Sequence, residues 1–118
     1  MAQTRSTQEV FEDHLHLREQ HQLEEDIARN YADDVVLLTL EGIFHGHDGV
    51  RQTGANLQSF LPHGRYDYLT RQVYGEYAYL EWRGVSDKAE VRYGADGFVI
   101  RDGHIVAQMI HYHVQHND

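Results

Sequence analysis

Two pairs of histidines have the spacing of metal ligands. His111 and His113 are two residues apart in HIVAQMIHYHVQH, and His45 and His47 are two residues apart in FHGHDG. On a strand this spacing places both side chains on one side. A zinc site needs a third protein ligand at about 2.0–2.2 Å from the metal, and no other histidine is fixed by spacing to the same face. We therefore expect no metal: His111 and His113 should be structural or interface residues, and His45 and His47 should cap a helix.

One aspartate lies on an otherwise apolar strand face in the segment YGADGFVIRDG. Strict alternation places Asp96, Phe98 and Ile100 on the same side of this strand. Because an unpaired buried charge is costly, the carboxyl group should either be neutral, with a raised pKa, or have a cationic partner. The alternative is that Asp96 caps a turn at Gly94 or Gly97 and faces water. The pattern leaves both possibilities open.

The first part of the chain has the pattern of helices. From residue 7 to residue 29 the apolar residues are spaced mostly for one helix face, with a break in REQHQLEED. This spacing predicts a helix from Thr7 to His21 and a second helix from Leu23 to Tyr31. Ser6 or Thr7 is the expected N-cap of the first helix.

A strand and a third helix are expected next. The run VVLLTL from Val35 to Leu40 is rich in β-branched residues and leucine on both faces, which predicts a strand buried on both sides. In the helix that follows, His47 or Asp48 would cap the start, and Pro62 with Gly64 would stop the end.

The rest of the chain has the pattern of strands separated by turns. The predicted strands are Tyr66 to Tyr74, Glu76 to Val85, Glu90 to Ile100 and Ile105 to His116. Helices followed by antiparallel strands predict an α+β fold with the helices packed on one face of a sheet. A chain of 118 residues is long enough for one hydrophobic core, so we expect a single domain over residues 1–118.

Composition limits the expected partners and location. The net charge of -9, from 10 basic and 19 acidic residues, repels phosphate backbones and anionic lipids. No apolar run approaches the roughly 20 residues that cross a bilayer. The start MAQTRSTQEV lacks the apolar core of a signal peptide, and the chain has no cysteine. We therefore expect a cytoplasmic protein that binds neither nucleic acid nor membranes.

Three short motifs occur in a suggestive order. Tyr-Ala-Asp-Asp at residues 31–34 precedes a strand, Phe-His-Gly at 44–46 precedes a helix, and Asp-Gly-His-Ile at 102–105 opens the last strand. Over nearly the whole chain this arrangement resembles the SnoaL-like branch of the nuclear transport factor two-like superfamily, which includes ketosteroid isomerase. The resemblance implies a cone-shaped, curved antiparallel sheet wrapped around the N-terminal helices. It also implies an apolar pocket inside the cone and an outer sheet face that often forms a dimer.

The same resemblance implies a catalytic set. The isomerase's catalytic aspartate corresponds to Thr39, which cannot accept a proton at neutral pH. Its oxyanion tyrosine corresponds most closely to His14, and its oxyanion carboxylic acid corresponds to Asp96. An apolar residue near the end of the last strand corresponds to Tyr112. The implied catalytic residues are therefore His14, Asp96 and Tyr112, and protonated His14 would be the cationic partner of Asp96.

The pocket lining follows from this match and from strand alternation. Matching the last strand through its turn places Gln108 inside the pocket and both His111 and His113 on the outer face. The expected substrate-binding residues are Leu37, Thr39, Leu80, Trp82, Phe98, Gln108 and Ile110. The outer face carries Val36, Leu38, Met109 and several tyrosines, which is too apolar for the surface of a monomer and predicts a homodimer.

Two functions of different classes remain open. The first is an enzyme of isomerase, cyclase or dehydratase type acting on a small apolar carbonyl or polyketide-like substrate. His14 and Asp96 would shuttle a proton, Tyr112 or Thr39 would bond the oxygen, and no cofactor is implied. Epoxide hydrolases of the superfamily need an arginine between two aspartates, and the pattern places no arginine in the pocket. The second is a non-catalytic ligand-binding or dimerisation module, which the loss of the base at Thr39 favours.

Overall fold

Three helices and seven strands make up the computed structural model, which describes residues 4–117. The helices are α1 (Thr7–Glu19), α2 (Leu23–Asn30) and α3 (Gly46–Phe60). The strands are β1 (Tyr31–Thr39), β2 (Gly42–His45), β3 (Arg65–Tyr74), β4 (Tyr77–Val85), β5 (Ala89–Arg101), β6 (His104–Tyr112) and β7 (Gln115–His116). Within these residues, no helix has the length and apolar character needed to cross a membrane. The short strand β2 was not predicted, because a segment of four residues carries no periodic pattern. The predicted strand from Ile105 to His116 is divided in the structure, where β6 ends at Tyr112 and β7 begins at Gln115.

The strands form one curved sheet in the order β2-β1-β6-β5-β4-β3, with β7 paired to β5. Shifts in register between Trp82 and Gly84 and between Val99 and Ile100 bend the sheet. Helix α1 contacts β3, β4, β5 and β6, and the buried apolar side chains of the helices and one sheet face form a core. The predicted α+β cone is confirmed. One pair, β1 with β6, is parallel, and the connection between these two strands contains α3 and the four strands β2 to β5.

The helix ends agree with the sequence only in part. Ser6 caps α1 as predicted: its hydroxyl accepts from the Glu9 N–H at 3.1 Å, and the Glu9 carboxylate accepts from the Ser6 N–H at 2.9 Å. The predicted capping by histidine or Asp48 at α3 was wrong. His45 is the N-cap residue but makes no side-chain capping bond, and His47 Nε2 lies 3.0 Å from the carbonyl oxygen of Tyr31. The helix starts earlier than expected because Gly46, with φ of 71°, makes the turn.

Strand β1 is buried on one face and not on two, so that part of the prediction was wrong. Val35 and Leu37 are buried, whereas Val36 and Leu38 are 40% and 45% exposed. The helices cover only the concave side of the sheet, so alternate side chains of β1 lie on an open convex face. The strand also begins at Tyr31, directly after α2.

A buried carboxylate joins the first two helices. The side chain of Asp26 has no exposed surface, and its Oδ2 accepts hydrogen bonds from Arg18 Nε at 2.7 Å and from His14 Nδ1 at 2.8 Å. Its Oδ1 accepts from Asn30 Nδ2 at 2.9 Å. Burial by itself would raise the pKa of Asp26, but the charges and hydrogen bonds of His14, Arg18 and Asn30 together lower that pKa to about 2. The ionised form therefore stabilises the packing of α1 against α2.

We predict that Asp26→Asn lowers the free energy of unfolding, because an amide cannot accept from all three donors. The pKa of Asp26 is lower in the folded chain, about 2 against 3.8. Its contribution, about 2–3 kcal/mol, is therefore complete above about pH 4 and is lost as the pH falls towards 2. The difference in stability between wild type and Asp26→Asn, measured by urea unfolding from neutral pH downwards, should shrink over that range. A difference that stays constant with pH would contradict this account of Asp26.

Candidate functional site

A cavity of about 550 Å³ lies between the helices and the concave face of the sheet. Its apolar walls include Leu15, Leu57, Leu80, Trp82 and Ile110. The polar side chains that line it include His14, Arg18, Tyr66, Tyr68, Asp96, Gln108 and Tyr112. Apolar walls with a few convergent polar groups are typical of small-molecule sites.

Asp96 is buried in this cavity at 9% exposure. Its Oδ1 accepts a hydrogen bond from the Trp82 indole N–H at 3.0 Å, and its Oδ2 accepts from Gln108 Nε2 at 2.9 Å. Burial raises the pKa of the Asp96 carboxyl group, although these two hydrogen bonds act in the opposite direction. The alternative that Asp96 caps a turn and faces water was therefore wrong.

The strand register explains how Trp82 reaches Asp96. On β4 and β5, Trp82 pairs with Gly94 and Leu80 pairs with Asp96. The indole packs against Gly94, where a Cβ atom would clash with the ring. Because glycine leaves this space free, the ring crosses β5 and directs its N–H to the carboxylate two residues further along.

A hydrogen-bond chain sets the orientation of Gln108. The Tyr31 hydroxyl donates to Gln108 Oε1 at 2.6 Å, and burial raises the pKa of this phenol, so it stays protonated. With Oε1 taken as the acceptor, the amide nitrogen of Gln108 is the end that donates to Asp96. Asp96 therefore receives two fixed donors, and a proton on its carboxyl group must occupy a position that neither donor uses.

His14 lines the same cavity but does not bond to Asp96, so the direct pairing predicted for these two residues was wrong. Its Nδ1 bonds to Asp26 instead, because α2 packs against α1 and brings that carboxylate to the imidazole. Within residues 4–117 its Nε2 has no hydrogen-bond partner, and no fully buried side-chain nitrogen or oxygen in this part of the chain lacks one. Nε2 must therefore contact the cavity. The ring is held between Phe98 and Tyr31, with centroids at 5.2 and 5.8 Å.

Arg18 is a cavity residue that the sequence analysis missed. It lies four residues after His14, on the same face of α1, and that spacing is the signal that would have found it. Its Nε donates to the same Asp26 oxygen as His14 does, and its side chain is 26% exposed. The expectation that no arginine enters the pocket was therefore wrong. Arg18 is hydrogen-bonded to one aspartate, Asp26, and to Asp96 it makes no such bond.

Tyr112 and Thr39 lie near the cavity opening. Tyr112 packs against Trp82 with ring centroids at 5.7 Å, and its hydroxyl is 3.5 Å from Glu41 Oε1. Partial burial, with the nearby Glu41 carboxylate, raises the pKa of Tyr112 to about 12. The Thr39 hydroxyl donates to the carbonyl of Gly42 at 3.0 Å. Thr39 is thus used in the β1–β2 turn.

The remaining predicted lining residues divide into two groups. Leu80, Trp82, Gln108 and Ile110 line the cavity. Leu37 and Phe98 are buried at about 1% exposure but lie behind the wall, where Phe98 packs edge-on against Phe11 and His14. Tyr66 and Tyr68 of β3 line the cavity and were missed, although their alternation in RYDY was a signal.

The histidine pairs lie away from the cavity interior. His111 and His113 are exposed, and among residues 4–117 no three side chains of histidine, aspartate or glutamate form a group that could hold a metal ion. His47 faces the backbone of β1.

We predict that Asp96→Asn changes the pH dependence of stability in the direction opposite to Asp26→Asn. The folded pKa of Asp96 is raised above 3.8, so its contribution is complete below that pH and is lost as the pH rises through the folded pKa. Asparagine does not titrate. The stability of Asp96→Asn relative to wild type, from urea unfolding, should therefore increase between about pH 4 and pH 7. A relative stability that falls over this interval would show that the carboxylate form is the better accommodated one.

Comparison with known proteins places the chain in a family. The SnoaL-like domain family matches residues 11–108 of the chain. Among solved structures, a nuclear transport factor two-like protein of unknown function from Mesorhizobium loti superposes with a TM-score of 0.77 at 19% identity, covering 96% of this chain and 95% of that one. No curated protein sequence matches the chain.

Two further solved structures have related folds. A candidate ketosteroid isomerase from Kribbella flavida superposes with a TM-score of 0.76 at 14% identity, covering 95% of this chain and 82% of that one. A candidate SnoaL-like polyketide cyclase from Mesorhizobium loti has a TM-score of 0.68 at 15% identity, covering 92% and 100%. At these identities the structural similarity concerns the fold alone. The family match extends over most of the sequence, and the chain belongs to the SnoaL-like domain family.

Proposed function

We propose that this protein is an enzyme that moves a proton at a carbon next to a carbonyl in a small, largely apolar or polyketide-like substrate, as isomerases, cyclases and dehydratases do. The observation that supports this proposal is that His14 and Asp96 contact one apolar-walled cavity while buried partners hold each of them in place. A base and an acid that are held by different hydrogen-bond partners can act on two positions of one bound molecule.

His14 is the proposed base. In the neutral imidazole, an Nδ1–H that donates to Asp26 leaves the lone pair on Nε2, the nitrogen that contacts the cavity. The carboxylate also stabilises the imidazolium that forms when Nε2 takes a proton. Asp26 thus orients His14 without contacting the substrate.

Asp96 is the proposed hydrogen-bond donor to the carbonyl oxygen. A carboxyl group with a raised pKa can remain neutral and donate a proton, as neutral carboxylic acids do in apolar enzyme sites. Trp82 and Gln108 occupy one acceptor position on each oxygen, so the proton is left for a ligand in the cavity. Tyr112 is the proposed second donor, because its hydroxyl is engaged only in a long bond of 3.5 Å to Glu41. Thr39 is left out of this role, because its hydroxyl donates to the Gly42 carbonyl at 3.0 Å.

A second candidate function is a ligand-binding module without chemistry. Thr39 stands where the family resemblance implies the catalytic base, and its hydroxyl is bonded to the backbone. In this alternative His14 and Asp96 only recognise polar groups of a ligand.

We also propose that the convex sheet face forms a homodimer. Leu38 on β1 lies beside Met109 on β6, and these two side chains are 45% and 39% exposed. Val36 and Tyr79 extend the same apolar surface, at 40% and 37% exposure. Contiguous exposed apolar surface of this kind is typical of association sites.

We predict that the wild-type protein accelerates exchange of the α-protons of β-tetralone, an apolar cyclic ketone, in heavy water, and that His14→Gln loses this acceleration. Removing a general base typically costs roughly a hundredfold or more. Proton NMR of the ketone measures the exchange. The matched control is His16→Gln, which changes an exposed histidine on the same helix and should keep the wild-type rate.

Two results would decide against His14 as the base. One is exchange by His14→Gln at the wild-type rate, and the other is an equal loss in His16→Gln. If wild type accelerates exchange of neither this ketone nor related cyclic diketones, although they bind, the binding module becomes the better description.

For the dimer, we predict that Leu38→Glu gives a monomer in light scattering at micromolar concentration, because two buried carboxylates would face each other across a symmetric interface. The matched control is Leu69→Glu on β3, where the leucine is 47% exposed at the other edge of the sheet, and it should remain dimeric. A wild-type protein that is monomeric in the same measurement would contradict the proposed dimer.

A further inference from the structure

The guanidinium of Arg18 has free donors inside the cavity. Its Nε donates to Asp26, and the guanidinium lies close enough to the Tyr31 hydroxyl to lower the pKa of that phenol against the effect of burial. Within residues 4–117, however, its two terminal nitrogens form no hydrogen bond of normal length and angle. Since no fully buried polar side-chain atom in this part of the chain lacks a partner, these nitrogens contact the cavity or the solvent at its opening. Helix α3 faces Arg18 with Gly54, where a Cβ atom would lie 3.8 Å from Nη1, so no acceptor side chain is presented at that point.

The charges around the cavity differ from those of the chain as a whole. The chain has 19 acidic and 10 basic residues, yet the cavity lining contains two arginines, Arg18 and Arg51, against two acids, Glu41 and Asp96. Burial raises the pKa of Asp96, which favours its neutral form. Arg51 is occupied by Glu24 and Asp48, so Arg18 is the arginine of this lining whose terminal nitrogens are available to a ligand.

From this arrangement we propose that the ligand of the cavity is an acid: an apolar body carrying a carboxylate, which the terminal nitrogens of Arg18 bind. The planar guanidinium fork matches the two oxygens of a carboxylate. Asp26 balances the charge of Arg18 but bonds only to its Nε, so the two terminal nitrogens remain as donors for a ligand. The inference rests on the proposed function only in taking this cavity as the ligand site.

Because Arg18 and His14 both bond to Asp26, the position of the ligand's carboxylate relative to His14 follows from this shared contact. Arg18 and His14 donate to the same Asp26 oxygen, so the cation and the imidazole enter the cavity side by side. A carboxylate on Arg18 therefore places its neighbouring carbons next to His14 Nε2. The substrate class is accordingly an apolar keto acid whose reacting carbon is close to its carboxylate.

The test compares two ligands that differ only in charge, phenylbutanoate and phenylbutanamide, by isothermal titration calorimetry with the wild-type protein. We expect the carboxylate to bind about tenfold or more tightly than the amide, since hydrogen bonds between charged groups are the stronger ones. Equal affinities would overturn the proposal without any variant, and Arg18 would then contact a neutral oxygen.

Substitutions of the two arginines test which of them binds the carboxylate of the ligand. Arg18→Gln should lose the preference for the carboxylate, Arg18→Lys should keep part of it, and Arg51→Gln should keep all of it, because Arg51 is already paired. A preference that survives in Arg18→Gln, or that falls equally in Arg51→Gln, would contradict the assignment. If circular dichroism shows Arg18→Gln to be unfolded, the Arg18→Lys result and the wild-type comparison decide. If the protein binds the carboxylate but does not accelerate proton exchange, the proposed catalysis fails and this inference stands.

Discussion

The burial of the Asp26 carboxylate between α1 and α2 is the constraint on which the candidate site depends. An ionised carboxylate away from water is costly unless donors surround it, and here His14, Arg18 and Asn30 supply them. The helices must therefore pack in the one arrangement that satisfies this oxygen pair. As a consequence, one imidazole nitrogen and one guanidinium are brought to the cavity with little rotational freedom. A structural requirement of the helices thus organises the chemistry of the pocket.

The curved sheet imposes a second constraint, on the acid. Trp82 can reach Asp96 only because Gly94 leaves space for the indole, and Gln108 donates to the carboxyl group because Tyr31 occupies its other end. These side chains come from β1, β4, β5 and β6, so the site exists only when the sheet has its full curvature. Burial favours the neutral carboxyl group, and the fixed donors leave its proton to a ligand. The acid and the base are therefore held by separate parts of the fold.

The helices cover only one side of the sheet, and this explains both the cavity on the concave side and the exposed apolar residues on the convex side. The helices fill the concave side and leave the cavity there, and the convex side of β1 and β6 keeps Val36, Leu38 and Met109 exposed. A ligand on one face and a second protomer on the other would not compete for the same residues. The proposed association can therefore be removed by substitution without altering the cavity.

Local pattern determined much of the fold. Spacing along the chain predicted α1, α2, α3 and the longer strands to within a few residues, and alternation on β5 correctly placed Asp96 on the buried face. Local pattern did not identify Asp26, because REQHQLEED has the composition of a solvated helix surface and only the packing of α2 on α1 buries one of its acids. With Asp26 unidentified, the family resemblance paired His14 with Asp96, whereas the imidazole bonds to Asp26. Periodicity reports which face of an element is apolar, whereas the partner of a buried charge is decided by the distances between elements that tertiary packing sets.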